Sequence, residues 1–185
     1  MLILAISATG LFAAFIQVGP SGRYTGDISE IEEYKDISNY EFGAEARVNI
    51  SAFSLAANAL FGQDVSKNTD YFNTIITANL RAEVAIFEVG IGAGFDLPII
   101  WDKTTGKVLV EINGENRPIE KFYEVFGNSD VLLRASCGVN LGGLGVALDY
   151  KLPWSTLQKY FQDKEDTIET VKKGRVSLAL LFNLF

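Results

Sequence analysis

The sequence has no histidine and only one cysteine, Cys137, among its 185 residues. Without histidine, catalysis of the Ser-His-Asp kind is excluded. A single cysteine can form neither an intramolecular disulfide nor a cysteine metal cluster. We therefore expect no metal site and no bound cofactor.

Basic residues are scarce relative to acidic ones. Sixteen Lys and Arg residues stand against 23 Asp and Glu, which makes the net charge −7. Proteins that bind nucleic acid present a basic surface to the phosphates, so the charge argues against a nucleic-acid partner.

Long hydrophobic runs are missing as well. Hydrophobic residues make up 48% of the chain, yet no stretch in its body reaches the roughly 18 apolar residues that a spanning helix needs. This excludes a helical membrane protein. A membrane β-barrel stays open, because its strands alternate apolar and polar side chains.

The first ten residues have two interpretations. They resemble the apolar core of a secretion signal, and Ala8-Thr9-Gly10 has the small-x-small pattern of a cleavage site. No basic segment precedes this core, so the same residues can instead begin the first strand. We assign residues 11–185 to a single domain, as the chain length suggests.

Apolar and polar side chains alternate along most of the chain. Between Tyr40 and Ile50 every even-numbered residue is apolar, whereas the odd-numbered ones include Glu41, Glu45 and Arg47. Such alternation over eleven residues is typical of a tilted strand that crosses a bilayer. The same pattern predicts eight strands, at residues 12–24, 40–50, 53–61, 76–84, 87–101, 133–141, 144–154 and 175–184.

Every charge on these strands lies on the phase opposite to the apolar one. Six acids and six bases share that phase, as in a barrel with lipid outside and a hydrated or ion-paired lumen. Since buried charges need partners, we predict a lumen network of Arg23 together with Glu41, Glu45, Arg47, Arg81, Glu83, Glu88, Asp96, Arg134, Asp149, Lys151 and Arg175.

Short and long connections alternate along the chain. Three are tight, near Ser51-Ala52, Ala85-Ile86 and Gly142-Gly143, and four are long, at residues 25–39, 63–71, 102–130 and 155–174. The sequence therefore predicts an eight-stranded antiparallel up-and-down transmembrane β-barrel with four long external loops and three short periplasmic turns.

A soluble up-and-down barrel is the alternative, with apolar residues inside and charges outside. Aromatic residues near the long-loop ends favour the membrane, because they match the interfacial girdle of membrane barrels. They are Tyr24, Tyr40, Phe42, Phe61, Phe72, Phe95, Trp101, Tyr150 and Trp154.

This pattern resembles the small eight-stranded outer-membrane proteins, namely the OmpA transmembrane domain, OmpX and the OmpW/AlkL group. The final residues, 180–185, are similar to the C-terminal aromatic signal read by the barrel assembly machinery, with Phe182, Leu184 and Phe185 as its members. Phe185 departs from the signal because it lies on the inward phase. An ordinary apolar last strand is the other interpretation. The resemblance implies a bacterial outer-membrane location, with membrane lipid and the assembly machinery as partners.

Enzymes of this barrel class use histidine, which this chain lacks, so we expect no enzymatic activity. A carboxylate pair such as Glu41 and Glu45 could do acid–base work, but paired interior charges are the simpler interpretation. The glycine run from Gly90 to Gly94 alternates within a strand and is not a nucleotide-binding loop.

The residues on the lumen phase change from polar to apolar along the height of the barrel. Eight strands enclose a space just wide enough for side chains. Towards the periplasm this phase is polar, whereas near the external end it carries Leu60, Ile75, Pro98, Ile100, Leu132 and Pro153. The resemblance to the OmpW/AlkL group implies an apolar funnel for small hydrophobic molecules. A packed seal beneath the loops explains the same residues equally well.

The sequences of the external loops predict local structure and suggest a function. Residues 25–39 contain five acids and one lysine, and Asn113-Gly114 suggests a hairpin. A short helix is predicted for residues 118–126, and a helix capped by Ser155 for residues 155–174. Loops on a rigid scaffold often carry recognition, although a solvated charged surface is the plainer interpretation. Two hypotheses follow: a narrow channel for small hydrophobic solutes, or a closed structural or surface-recognition barrel whose loops bind a host or surface ligand.

Overall fold

The computed structural model describes residues 14–26, 28, 34–112, 115–119, 123–127, 129–163 and 167–184. Eight strands form the wall of a barrel: β1 (Ala14–Tyr24), β2 (Tyr40–Ile50), β3 (Phe53–Asp64), β4 (Thr69–Val84), β5 (Phe87–Asp102), β8 (Asp130–Asn140), β9 (Leu144–Pro153) and β10 (Arg175–Asn183). Between β5 and β8 lie the hairpin strands β6 (Lys107–Ile112) and β7 (Glu115–Pro118) and helix α1 (Tyr123–Gly127). Helices α2 (Trp154–Asp163) and α3 (Thr167–Lys172) connect β9 to β10.

The eight wall strands close on themselves. Each pairs antiparallel with the next wall strand along the chain, and β1 pairs antiparallel with β10. Around the ring the order is β1, β2, β3, β4, β5, β8, β9 and β10. The predicted eight-stranded antiparallel up-and-down barrel is confirmed.

The register around the ring sets the size of the barrel. From Arg23 on β1, the successive register partners through β2, β3 and β4 to β5 are Glu41, Gly62, Tyr71 and Ile100. In the other direction, through β10, β9 and β8 to β5, they are Ser177, Asp149, Ser136 and Gly90. The two series of partners therefore reach β5 at positions ten residues apart, Ile100 and Gly90. For eight strands this stagger implies a strand tilt of about 40° and a backbone radius of about 8 Å.

The two faces of the wall carry different chemistry. Along β3, Ser54, Asn58 and Leu60 are buried, whereas Phe53 and Leu55 are exposed. The same alternation on the other wall strands places polar and charged side chains in the lumen and most large apolar ones outside. This is the predicted phase, and it is the reverse of the phase of a soluble barrel.

The three predicted tight turns lie together at one end, here called the turn end. Two non-glycine residues there have left-handed backbone conformations, Ser51 with φ 54° and Ala85 with φ 57°, and Gly142 has φ 81°. Residues with a Cβ atom are disfavoured in this region by roughly 1–2 kcal/mol.

We expect Ala85→Gly to stabilise the barrel modestly, by up to about 1 kcal/mol, because glycine removes the left-handed penalty. Urea unfolding in detergent micelles measures this difference. Ile86→Gly, one residue along the same turn and without a positive φ, is the matched control and should destabilise. Equal destabilisation by both substitutions would contradict the strain at Ala85.

The opposite end, here called the loop end, departs from the prediction at the connection between β3 and β4. Residues 63–71 were expected to form a long loop. Instead β3 and β4 continue as a paired ladder through Gln63↔Asp70 and Asp64↔Thr69, and only residues 65–68 form the turn. The Asp64 carboxylate accepts hydrogen bonds from the Ser66 hydroxyl (2.5 Å) and the Lys67 backbone N–H (3.1 Å), which stabilises this short turn.

The other long connections carry regular structure. The hairpin predicted near residues 113–114 forms from β6 and β7, which extends the sheet from the end of β5. The helix predicted for residues 118–126 is shorter and later, as α1, and the segment 155–174 forms two helices rather than one. Ile100, Val110 and Val125, from β5, β6 and α1, are all buried at this end.

Several predictions fall outside the described residues. These concern residues 1–10, Asn113-Gly114, Phe185 and four of the five loop acids, Asp27, Glu30, Glu32 and Glu33. In the described part of the chain, no helix is long and apolar enough to cross a membrane.

Candidate functional site

The lumen is the candidate site, and its charges form groups at successive levels. Nearest the loop end, Arg23 on β1 contacts Glu41 on β2 (2.5 Å) and Asp96 on β5 (2.7 Å). Arg175 contacts the same Asp96 oxygen at 2.7 Å, and the Asn73 amide donates to Glu41. Because β1 and β5 lie opposite each other in the ring, the Arg23–Asp96 pair crosses the lumen.

A second group surrounds Arg134 on β8. Its guanidinium donates to both carboxylate oxygens of Asp149 (2.8 Å each), to Glu45 (3.0 Å) and to the Thr77 hydroxyl (2.9 Å). Glu45 lies on β2, directly across the ring from β8. The side chains of Arg134, Glu45 and Asp149 are almost completely buried, so this pairing also spans the barrel.

Arg47 and Lys151 extend the second group. Arg47 pairs with Glu45 and lies 3.5 Å from Asp149 and 3.6 Å from Glu88. The Lys151 ammonium donates to the Ser177 hydroxyl (2.8 Å) and lies 3.8 Å from Asp149. A carboxylate is therefore within reach of each of these cations, as the high cost of isolated buried charge requires.

The turn end of the lumen is closed by polar side chains. Arg81 pairs with Glu83 and with Glu88 (3.3 Å), and it lies 5.0 Å from the centre of the Phe15 ring. At the same end, the Gln17 amide joins β2 and β10: it accepts from Asn49 (2.9 Å) and donates to Asn183 (2.9 Å). Gln17, Thr77, Ser177 and Asn183 lie on the predicted polar phase, but the predicted lumen network did not include them because it was built from charged residues alone.

The six residues predicted to line an apolar funnel do not behave alike. Leu60, Ile75 and Leu132 are buried against one another in a single cluster, and they come from β3, β4 and β8. Ile100 is also buried, whereas Pro98 and Pro153 are half-buried. The apolar cluster therefore fills lumen space beside the charged groups.

Not every buried polar group is paired. Neither amide atom of Asn58 has a hydrogen-bond partner within the described residues. Glu45, its register partner on β2, also keeps one carboxylate oxygen unpaired. Buried polar groups of this kind are normally hydrated, so we expect water beside Asn58.

Metal binding has no support in the side chains that the structure describes. Among them, no group of three or more His, Cys, Asp or Glu residues is arranged to hold a metal ion. The carboxylates of the lumen instead face arginine and lysine.

Comparisons with known proteins bear on the fold. No protein-family model matches the sequence, and no curated protein matches it significantly. A solved structure that does match is the N-terminal β-barrel domain of Pseudomonas aeruginosa OprF, with 9% identity, a TM-score of 0.50, and coverage of 92% of this chain and 97% of that one. This chain has the fold of the small eight-stranded outer-membrane barrels. Neisserial surface protein A (NspA) also matches, with 11% identity, a TM-score of 0.46, and coverage of 92% and 94%.

The predicted resemblance to small outer-membrane barrels is confirmed for the fold. Sequence identities this low carry no information on function. The narrower resemblance to the OmpW/AlkL group stays a prediction. Of the predicted assembly signal, Phe182 and Leu184 lie exposed at the end of β10 on the outward side, and Phe185 lies outside the described residues.

Proposed function

We propose that this chain is an integral, non-catalytic barrel of a bacterial outer membrane with a closed lumen, acting through its surface at the loop end. The observation that carries the proposal is the pair of arginine contacts that cross the lumen, Arg23–Asp96 and Arg134–Glu45. With a backbone radius of about 8 Å, two such contacts and the Leu60 cluster leave little room for a solute.

The outer surface supports the membrane location. Phe42, Phe61 and Phe72 are register partners across β2, β3 and β4, and all three are exposed. An unbroken outward row of aromatic rings is unfavourable in water but suits the interface of a bilayer. Lipid is then the partner of the wall, and Phe182 and Leu184 would serve recognition by the barrel assembly machinery.

The loop end supports a role in surface recognition. The β6–β7 hairpin, α1, α2 and α3 form structured segments at this end, with buried residues such as Val110 and Val125. Ordered loops on a rigid barrel can present a defined surface to a host or surface ligand. A purely structural role needs no such partner.

Conductance across a planar bilayer tests the closed lumen. We expect the purified protein to show no steady conductance above the protein-free bilayer, because the crossing ion pairs block the path. A steady, reproducible channel current from the unmodified protein would contradict the proposal.

A narrow channel for small hydrophobic solutes is the second candidate. The observation that favours it is the apolar cluster of Leu60, Ile75 and Leu132 within the lumen, next to the half-buried Pro98 and Pro153. Liposomes carrying the protein should then take up an apolar solute faster than empty ones, and the double substitution Pro98→Val, Pro153→Val should slow the uptake. Uptake equal to that of empty liposomes would contradict the channel and favour the closed barrel.

A further inference from the structure

Helix α2 has an apolar edge with an exposed aromatic ring at each end. Trp154, Leu157 and Phe161 follow a spacing of three and four residues, which places them on one side of the helix. Ser155, Lys159 and Gln162 lie on the other side. Trp154 is 46% exposed and Phe161 is 69% exposed, so two large aromatic rings at the two ends of this edge face outward.

The neighbouring flank of α2 holds the helix against the barrel. Leu157, in the middle of the apolar edge, and Tyr160 beside it are half-buried, and α2 contacts β8 and β9. The Ser155 hydroxyl lies 3.4 Å from the Asp130 carboxylate at the start of β8, and the Tyr160 hydroxyl lies 3.2 Å from that of Thr167 in α3. The direction of the aromatic edge is therefore set by packing on the wall.

The aromatic edge continues the outward face of the wall. Leu148, Tyr150 and Leu152 lie on the outward phase of β9, and Trp154 follows on the same phase as the first residue of α2. No linker separates the strand from the helix. The exposed edge of α2 thus begins at the rim where the apolar outer face of the barrel ends.

We propose that α2 lies in the lipid–water interface of the outer leaflet, with Trp154 and Phe161 inserted into the lipid surface. The inference rests on the proposed membrane location. Continuity with the lipid-facing wall favours lipid over a protein as the occupant, and tryptophan at the end of a spanning strand is typical of an interfacial anchor. The polar side of α2, with Lys159 and Gln162, then faces solvent.

This placement assigns different roles to different parts of the loop end. The apolar edge of α2 is occupied by lipid and is not open to a soluble ligand. Recognition then falls to the polar side of α2 and to the β6–β7 hairpin.

Depth-dependent fluorescence quenching tests the proposal, because the chain has only two tryptophans, Trp101 and Trp154. The first variant, Trp101→Phe, reports on residue 154. The second, Trp101→Phe, Trp154→Phe, Phe161→Trp, reports on the far end of the helix. Each is reconstituted into phosphatidylcholine liposomes with a spin label at the headgroup, at acyl carbon 5 or at acyl carbon 12, and acrylamide probes exposure to water.

We expect residues 154 and 161 to be quenched most by the two shallow labels, with a loss of about half of the emission for rings seated at the headgroups. Acrylamide should quench both only weakly. The control variant Trp101→Phe, Trp154→Phe, Leu148→Trp places the reporter on the outward wall of β9, six residues before α2, and should respond most to carbon 12.

The outcomes separate the two proposals. If residue 161 responds to acrylamide and not to the lipid labels while residue 148 still responds to carbon 12, α2 stands away from the membrane and the inference is wrong. If residue 161 is shielded from both quenchers only at high protein-to-lipid ratio, a second copy covers the edge and the inference is also wrong. If residue 148 fails to respond to carbon 12, the membrane location itself fails.

Discussion

Replacing Arg134 with methionine should lower the unfolding free energy of the barrel by about 3–5 kcal/mol, the usual effect of removing one partner from a buried ion pair. The guanidinium makes hydrogen bonds to Asp149, Glu45 and Thr77. Methionine fills similar space but leaves two buried carboxylates facing each other without their main counter-charge. Arg47, 3.5 Å from Asp149, compensates only in part.

Urea unfolding in detergent micelles, followed by tryptophan emission, measures this loss. The matched control is Lys103→Met, which removes a surface pair with Asp70 (2.6 Å) whose partners are both partly exposed and should change stability by less than about 1 kcal/mol. The double variant Arg134→Met, Glu45→Gln should recover part of the loss, because it removes one charge of each sign and leaves Asp149 as the partner of Arg47 (3.5 Å) and Lys151 (3.8 Å). Equal effects of Arg134→Met and Lys103→Met would show that the crossing contacts do not stabilise the lumen.

Replacing Gly19 with valine should prevent the barrel from closing. Gly19 lies on β1 at the seam with β10, and a Cβ atom added there would overlap the backbone carbonyl of Leu180. A backbone atom cannot rotate away as a side chain can, so the strands would have to separate. Loss of the β1–β10 pairing breaks the ring, and the exposed strand edges favour aggregation.

Folding of Gly19→Val is measured by the shift in gel mobility between heated and unheated samples and by resistance to protease. We expect the heat-dependent shift to disappear. Gly22→Ala is the matched control on the same strand, because its added Cβ would meet the Phe42 ring at an ordinary 3.4 Å. That variant should fold as the parent does. A Gly19→Val barrel with normal mobility and protease resistance would disprove close packing at the seam.

The phase of the wall was predictable because it follows from local chemistry. A strand turns alternate side chains to opposite faces, and a charge on the lipid face of a barrel is costly. The alternation between Tyr40 and Ile50, with Glu41, Glu45 and Arg47 on one phase, therefore indicated the strand and its two faces, and the aromatic residues near the loop ends favoured the charged face as the inward one. The partners of these charges were not predictable. Arg134 and Glu45 are 89 residues apart, and their contact depends on the ten-residue stagger of the whole ring.

The connection between β3 and β4 shows a second limit. Gln63, Asp64 and Asp70 have the composition of a loop, yet they belong to the paired ladder. Strand structure depends on backbone hydrogen bonds, which polar side chains do not prevent. The sequence pattern therefore detected the apolar part of the strands and missed their polar extension.

The same limit applies to the apolar residues of the lumen. Leu60, Ile75 and Leu132 have the same composition whether they line an opening or fill it. Their mutual contact depends on the barrel radius and on where three separate strands place them. Only packing distinguishes a funnel from a seal.

The sequence by itself determined the strand count and the alternation of two chemically different faces along each strand, because both depend on neighbours within about ten residues. The tertiary structure decided the ion pairs across the lumen, the packing of the apolar cluster and the direction of the aromatic edge of α2. The first two depend on contacts between distant strands, which the closed ring alone brings together, and the third depends on the packing of α2 against β8 and β9.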